Sequence, residues 1–141
     1  MKMLLMVAIG GAIGAVARQQ SNQFIMRIFG GEFPIGTIFV NIFGSFIMGL
    51  LFELFTSKIT ISYEWRTLIF TGVLASFTTF SSFALDVVLL AERNEYLSAL
   101  IYIGGSVILS IGFLFLGLLS MRGFLSLSLI HISEPTRQLC I

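Results

Sequence analysis

Four long apolar stretches alternate with short polar breaks along the 141-residue chain. The first covers residues 3–28. It is strongly apolar to Ala17 and then turns polar through "RQQSNQ", residues 18–23. A helix needs about 20 apolar residues to span a bilayer, so residues 3–17 alone are short. The helix is expected to continue, with its polar half facing protein or water. No small-residue cleavage site leading into a polar mature domain follows, so this segment reads as a first span rather than a leader. "FGGEFP", residues 29–34, reads as a turn, with Pro34 suited to the first turn of the next helix. The second span is expected over residues 35–56. The third follows the link "SKITISYE" and covers 65–91, and the fourth follows the turn "ERNEY" and covers 97–121. The pattern predicts an all-α integral membrane protein with one four-helix domain over residues 1–122. Residues 123–141, ending "IHISEPTRQLCI", fall outside the pattern and read as a short cytoplasmic extension or as read-through sequence.

Composition agrees with this reading. The chain is 57% hydrophobic and 11% charged, whereas a soluble domain carries roughly a quarter charged residues. A net charge of +1 argues against nucleic acid as a partner. The single cysteine, Cys140, excludes an intrachain disulfide, and the single histidine, His131, lies in the tail. Histidine proton relays and soft-metal sites inside the membrane therefore lack their side chains.

Basic residues bear on orientation. With four spans, one side carries Lys2, Lys58, Arg66 and Arg122, with Arg137 in the tail, and the other carries Arg18, Arg27 and Arg93. A fixed orientation usually shows a clear Lys/Arg excess on cytoplasmic loops. This near-balance suggests either weak orientation or insertion both ways up, and two opposed copies could then form an antiparallel homodimer. Orientation set by Lys58, Arg66 and Arg122 is the alternative.

Small residues supply packing faces. Gly10 and Gly14 stand in GxxxG spacing, and Gly44, Gly49, Gly104, Gly105 and Gly112 read as ordinary helix-packing positions. Polar residues say more. Asn41 and Ser45 share one face of the second span, and Tyr102, Ser106 and Ser110 repeat every four residues on the fourth. The third span holds "LASFTTFSSF", with Ser76, Thr78, Thr79, Ser81 and Ser82 among three phenylalanines. A lone membrane serine usually bonds its own helix, but three polar faces together suggest a path. No acidic residue lies in the middle of a span. Glu53 is near the end of the second, and Asp86 lies one turn beyond Phe83 as a possible helix anchor. Neutral donors and positive ring edges, here Phe80 and Phe83 at i,i+3, can replace water around a small anion. They also bind it weakly enough to release it. The hydroxyl run competes for backbone bonds and favours a break in the third helix. Such a break is tolerated only where it is buried in protein or lines water or an ion.

With these residues in view, the chain resembles the Fluc, or CrcB, family of fluoride channels over residues 1–122. The markers are "GGAIGAVAR", "GTIFVNIFGSFIMG", "TGVLASFTTFSSFALD" and Tyr102 with Ser106. The resemblance implies a dual-topology antiparallel homodimer with two fluoride pores and a broken third helix, in the inner membrane of a bacterium. It implies a structural Na+ on the dimer axis, held by backbone carbonyls at the positions of Ala75 and Thr78. Phe80 and Phe83 match the phenylalanine box and Asn41 a pore asparagine. Ser81 and Ser82 match a polar track, Tyr102 a pore tyrosine, and Ser106 and Ser110 its polar neighbours. Arg18 matches a vestibule arginine and Asp86 an acidic residue after the TTFS element. The family commonly has glycine where this chain has Ala75, which makes a left-handed backbone there less accessible.

The function expected is passive, selective fluoride export that relieves toxicity, without ATP or a catalytic constellation. One alternative is a small dual-topology proton-coupled exporter, for which the first helix lacks a mid-span carboxylate. The other is a non-transporting membrane subunit.

Overall fold

A computed structural model describes the backbone of residues 1–133 and the side chains of residues 1–128. Arg137, Cys140 and the side chain of His131 lie outside the described residues. Helix α1 (Lys2–Phe29) ends at Gly30, whose φ of 84° and ψ of 173° lie in a region open essentially to glycine alone. The Gly30 N–H returns to the Met26 carbonyl at 3.0 Å and closes the helix end. Helix α2 (Ile35–Ser57) follows, with Pro34 immediately before it rather than inside its first turn.

The third crossing is composite. It runs from α3 (Tyr63–Arg66) into a π-helical stretch, π1 (Thr67–Leu74), then one short turn, α4 (Ala75–Phe77). Thr78 and Thr79 are extended, with ψ of 155° and 118°, and α5 (Phe80–Glu92) resumes the helix. The expected break is therefore present, at the paired β-branched threonines. After a turn with Asn94 at positive φ, α6 (Tyr96–Ser133) begins. It runs past the expected end at residue 121, so the first part of the tail extends the fourth helix. All four crossings are long and apolar enough to span a membrane, and the protein is a multi-pass membrane protein.

Two seams hold the helices together. At Gly10 and Gly72, α1 lies against π1 so closely that a Cβ on Gly10 would sit 2.6 Å from the Leu68 carbonyl oxygen. At Gly49 and Gly117, a Cβ would strike the carbonyl oxygens of Leu114 and Phe46 respectively, so the backbones of α2 and α6 touch. Further along, Arg122 Nε meets Glu53 Oε2 at 2.9 Å, and Ser57 Oγ donates to Glu53 Oε1 at 2.9 Å. Because Gly49 pairs with Leu114 and Leu118, and Glu53 pairs with Arg122, α2 and α6 run parallel. A Cβ at Gly104, Gly105 or Gly112 would meet nothing within 4 Å and point outward, so the close packing expected of them is not made among the described residues.

Few apolar residues are buried; Phe83, Leu90, Ala99 and Tyr102 form one cluster, with Phe33, Ile38 and Val87 packed around it, and Ile25, Val40, Leu74 and Phe77 are buried elsewhere. Large apolar side chains such as Leu4, Leu100 and Ile108 stay exposed along the helices. In water this would be costly. In lipid it is the ordinary outcome, because acyl chains are as apolar as leucine.

Candidate functional site

The site is built on the break. Extending α4 into α5 would need the Thr79 N–H to bond the Ala75 carbonyl and the Ser82 N–H to bond the Thr78 carbonyl. Neither does so. Thr79 N–H donates to Asn41 Oδ1 at 2.7 Å, and Asn41 Nδ2 donates back to the Thr79 carbonyl at 3.0 Å. Ser82 N–H donates to Thr79 Oγ1 at 3.2 Å, which caps α5. Thr78 Oγ1 turns back to the Leu74 carbonyl at 3.1 Å. One side chain on α2 and one hydroxyl at the break thus satisfy backbone groups that the bilayer would leave unpaired.

A cavity of about 290 Å³ opens beside this brace. Asn41, Ser45 and Met48 line it from α2, and Thr78, Thr79, Phe80 and Phe83 from the break and α5. Ser106, Val107, Ser110 and Ile111 complete it from α6. Five of the expected pore residues, Asn41, Phe80, Phe83, Ser106 and Ser110, therefore meet in one place. Ser106 is 4% exposed, and its Oγ has no hydrogen-bond partner among the described residues. A buried hydroxyl left open at a cavity wall is available to a guest. The Phe80 and Phe83 rings lie 5.5 Å apart at 44°, with Phe80 77% exposed and Phe83 buried.

The other expected residues lie around this cavity rather than in its wall. Ser81 and Ser82 are exposed on the first turn of α5, with their hydroxyls 3.4 and 3.1 Å from Thr79 Oγ1. Tyr102 is fully buried behind Phe83, 5.3 Å between ring centres, and packs edge-on against Phe33. Its hydroxyl donates to Asp86 Oδ2 at 2.9 Å. Asp86 itself lines a second, smaller cavity of about 100 Å³ with Glu32 and Arg93. Tyr102 thus links Phe83, in the wall of the first cavity, to Asp86, in the wall of the second. Arg18 is half-buried on α1 and lines neither.

The carbonyls of Ala75 and Thr78 are among those left open at the break, their helical donors being diverted to Asn41 and to Thr79. Free carbonyl oxygens at a helix break are suitable hard ligands for an alkali cation, so these residues fit Na+. Ala75 has φ −67° and ψ −29°, an ordinary right-handed conformation, and alanine in place of glycine meets no backbone obstacle there.

Three features were not apparent in the sequence. Thr79 acts as brace partner and cap, and its place just before an apolar helix is a recognisable N-cap signal. The apolar wall of Met48, Val107 and Ile111 had no distinguishing pattern. The Glu53–Arg122 pair joins residues too distant in sequence for any local rule to connect.

Comparison with known proteins agrees with this geometry. A family model described as CrcB-like protein, Camphor Resistance (CrcB), matches residues 5–118. A Rhizobium etli protein named "Fluoride-specific ion channel FluC" is 48% identical over 118 residues, covering 84% of this chain and 94% of its own length. A Cereibacter sphaeroides protein of the same name is 45% identical over 123 residues, covering 87% of this chain and 97% of its own. One from Agrobacterium fabrum is 48% identical over 115 residues, covering 82% and 92%. At this identity and coverage, with the broken helix and its lined cavity in place, the chain belongs to the CrcB-like family.

Proposed function

We propose that this protein is a passive, selective fluoride channel through which cytoplasmic fluoride leaves the cell. The observation that carries the reading is the cavity at the break, where neutral donors from α2 and α6 face the Phe80 and Phe83 rings. The names of the relatives support it. Asn41, Ser45, Ser106 and Ser110 replace water around a small anion, and the ring edges add weak positive potential. Among the described residues, no full positive charge lines the cavity to trap the ion. An interior-negative potential contributes about 2.3 kcal/mol per 100 mV for one charge and drives the anion outward.

The channel is an antiparallel homodimer with two pores. The near-balance of basic residues between the two sides and the outward-facing Gly104, Gly105 and Gly112 support this assembly. The carbonyls of Ala75 and Thr78 hold a structural Na+ that supplies a fixed positive charge between the two broken helices. The bacterial relatives support placement in the inner membrane of a bacterium.

Fluoride efflux from liposomes containing the purified protein tests the reading, with valinomycin and potassium setting the potential and chloride run in parallel. Rapid potential-driven fluoride efflux with little chloride flux is expected. Efflux that needs a pH gradient would replace the channel with a proton-coupled exporter. Silence from a well-assembled dimer would leave a non-transporting subunit.

A further inference from the structure

One face of α2 holds both threonines of the break. Asn41 pairs with Thr79. Gly44, one turn on and so on the same face, holds Thr78. A Cβ at Gly44 would lie 2.5 Å from Thr78 Cγ2 and 3.1 Å from Phe77 Cδ1, so the threonine methyl occupies the space of the missing side chain. That methyl cannot swing away alone. Thr78 Oγ1 donates to the Leu74 carbonyl at 3.1 Å, which also accepts the Thr78 N–H at 3.0 Å. Turning χ1 to free the methyl would carry the hydroxyl off that carbonyl, because both sit on one branched carbon. Phe77 beside it is buried and edge-on to Phe43. The short turn α4 is also held by α1, where a Cβ at Gly14 would strike the Val73 carbonyl oxygen and lie 3.1 Å from Phe77 N.

We infer that Gly44 is a positioning residue for conduction: its bare face seats the Thr78 methyl and sets how closely the broken helix approaches α2. The inference rests on the fluoride-channel reading. Gly44 backs the cavity wall, and Thr78, Asn41 and Thr79 form part of it. The Asn41–Thr79 pairing needs α2 and the break at their present separation, and a small outward shift takes such bonds out of range. An added methyl on Gly44 overpacks this contact. With the backbone of α4 already held against α1, the strain falls on the break itself. The seat also gives threonine a reason that serine lacks at this position, since the hydroxyl bonds Leu74 while the methyl fills the notch.

The test is a double-mutant cycle of wild type, Gly44→Ala, Thr78→Ser and the double variant. Each is read for fluoride efflux per protein recovered as the wild-type oligomer, and for hydrogen exchange at the Thr79 amide. Thr78→Ser keeps the hydroxyl and removes the methyl that the new Cβ would strike. In the wild-type background, Gly44→Ala lowers efflux about tenfold or more and speeds Thr79 exchange. In the Thr78→Ser background the same change lowers efflux by no more than about twofold and leaves Thr79 exchange unaltered, because the two sites are coupled through one contact. Equal losses in both backgrounds overturn the inference, as does a Gly44→Ala protein that conducts as wild type does. If Gly44→Ala fails to assemble, the double variant decides: assembly with efflux near that of Thr78→Ser supports the seat, and a second failure overturns it. A wild type that carries no fluoride sinks the channel reading and the link to conduction with it, while Thr79 exchange across the cycle still decides whether Gly44 positions the break.

Discussion

Asn41 and Thr79 pair at two points, the threonine N–H giving 2.7 Å to Asn41 Oδ1 and the asparagine Nδ2 returning 3.0 Å to the Thr79 carbonyl. A carboxamide is the shortest neutral side chain that presents a donor and an acceptor side by side. It therefore stands in for a missing strand or helix partner at the extended residue. The role expected of Asn41 as a cavity-lining residue and its role as a brace coexist, because the brace sits in the cavity wall.

Asn41→Leu removes both bonds and leaves a backbone N–H and C=O unpaired, at roughly 1–3 kcal/mol each. The variant is expected to show a lowered thermal midpoint in detergent and faster hydrogen exchange at the Thr79 amide. Asn41→Asp keeps the acceptor and loses the donor, so its midpoint falls between those of wild type and the leucine variant. Equal midpoints for all three would remove the brace from the account.

Thr79 caps α5 through its hydroxyl. Thr79→Val keeps the shape and loses the acceptor, and costs about 1 kcal/mol of stability. Thr79→Ser retains the bond and should stay near wild type. Chemical-denaturant midpoints of the two variants decide this, and a serine variant as weak as the valine variant would count against the cap.

How much of this was legible in the sequence differs from element to element. The four crossings followed from the length of the apolar runs, and the break from Thr78 and Thr79, which compete for backbone bonds wherever they stand. The meeting of Asn41, Phe80, Phe83, Ser106 and Ser110 followed from polar faces at helical spacing. The widened turns of π1 have no signature within residues 67–74 themselves, and Gly72 there lies against Gly10 of another helix, a contact no local pattern connects. Ser82, expected in a polar track beside the pore, lies next to the cavity with its hydroxyl 3.1 Å from Thr79 Oγ1, and it is the Thr79 hydroxyl that accepts from a backbone N–H. Hydroxyls look alike in sequence, and only the fold tells which of them the backbone has claimed.

Neighbouring glycines in α1 should respond differently to the same change. A Cβ at Gly10 would lie 2.6 Å from the Leu68 carbonyl oxygen and 2.9 Å from Gly72 Cα, both backbone atoms that cannot turn aside. A Cβ at Gly11 meets only Ser76 Oγ at an ordinary 3.5 Å. Gly10→Ala is expected to cost about 1–3 kcal/mol through overpacking, while Gly11→Ala is neutral or slightly stabilising through better helix propensity. Thermal midpoints of the two variants in one detergent make the comparison.

Arg122 is mostly exposed while its partner Glu53 is nearly buried, with side chains 61% and 11% accessible. Arg122→Ala leaves Glu53 with Ser57 alone, whereas Glu53→Gln leaves an arginine that water can reach. The arginine variant is therefore expected to be the less stable of the two. A double-mutant cycle should return a coupling of about 1 kcal/mol, at the upper end for pairs with one exposed member. A coupling of zero would reduce the pair to a surface contact.

Phe80 and Phe83 share the cavity but not its surroundings, and that separates conduction from stability. Phe83 is buried and packs on both Phe80 and Tyr102, at 5.5 and 5.3 Å between ring centres. Phe83→Ile therefore removes core contacts as well as a ring edge, and lowers both the thermal midpoint and fluoride flux. Phe80 is 77% exposed within the chain and carries little of the core. Phe80→Ile should leave the monomer fold near wild-type stability, within about 0.5 kcal/mol, while fluoride flux falls about tenfold or more as a favourable electrostatic contact disappears. Phe80→Tyr keeps the ring and should retain most of the flux. Efflux and thermal midpoint measured on the same preparations read the two effects apart. If Phe80→Ile conducts as wild type does, the ring at this position is bulk rather than part of the path, and the donors of α2 and α6 carry the ion without it.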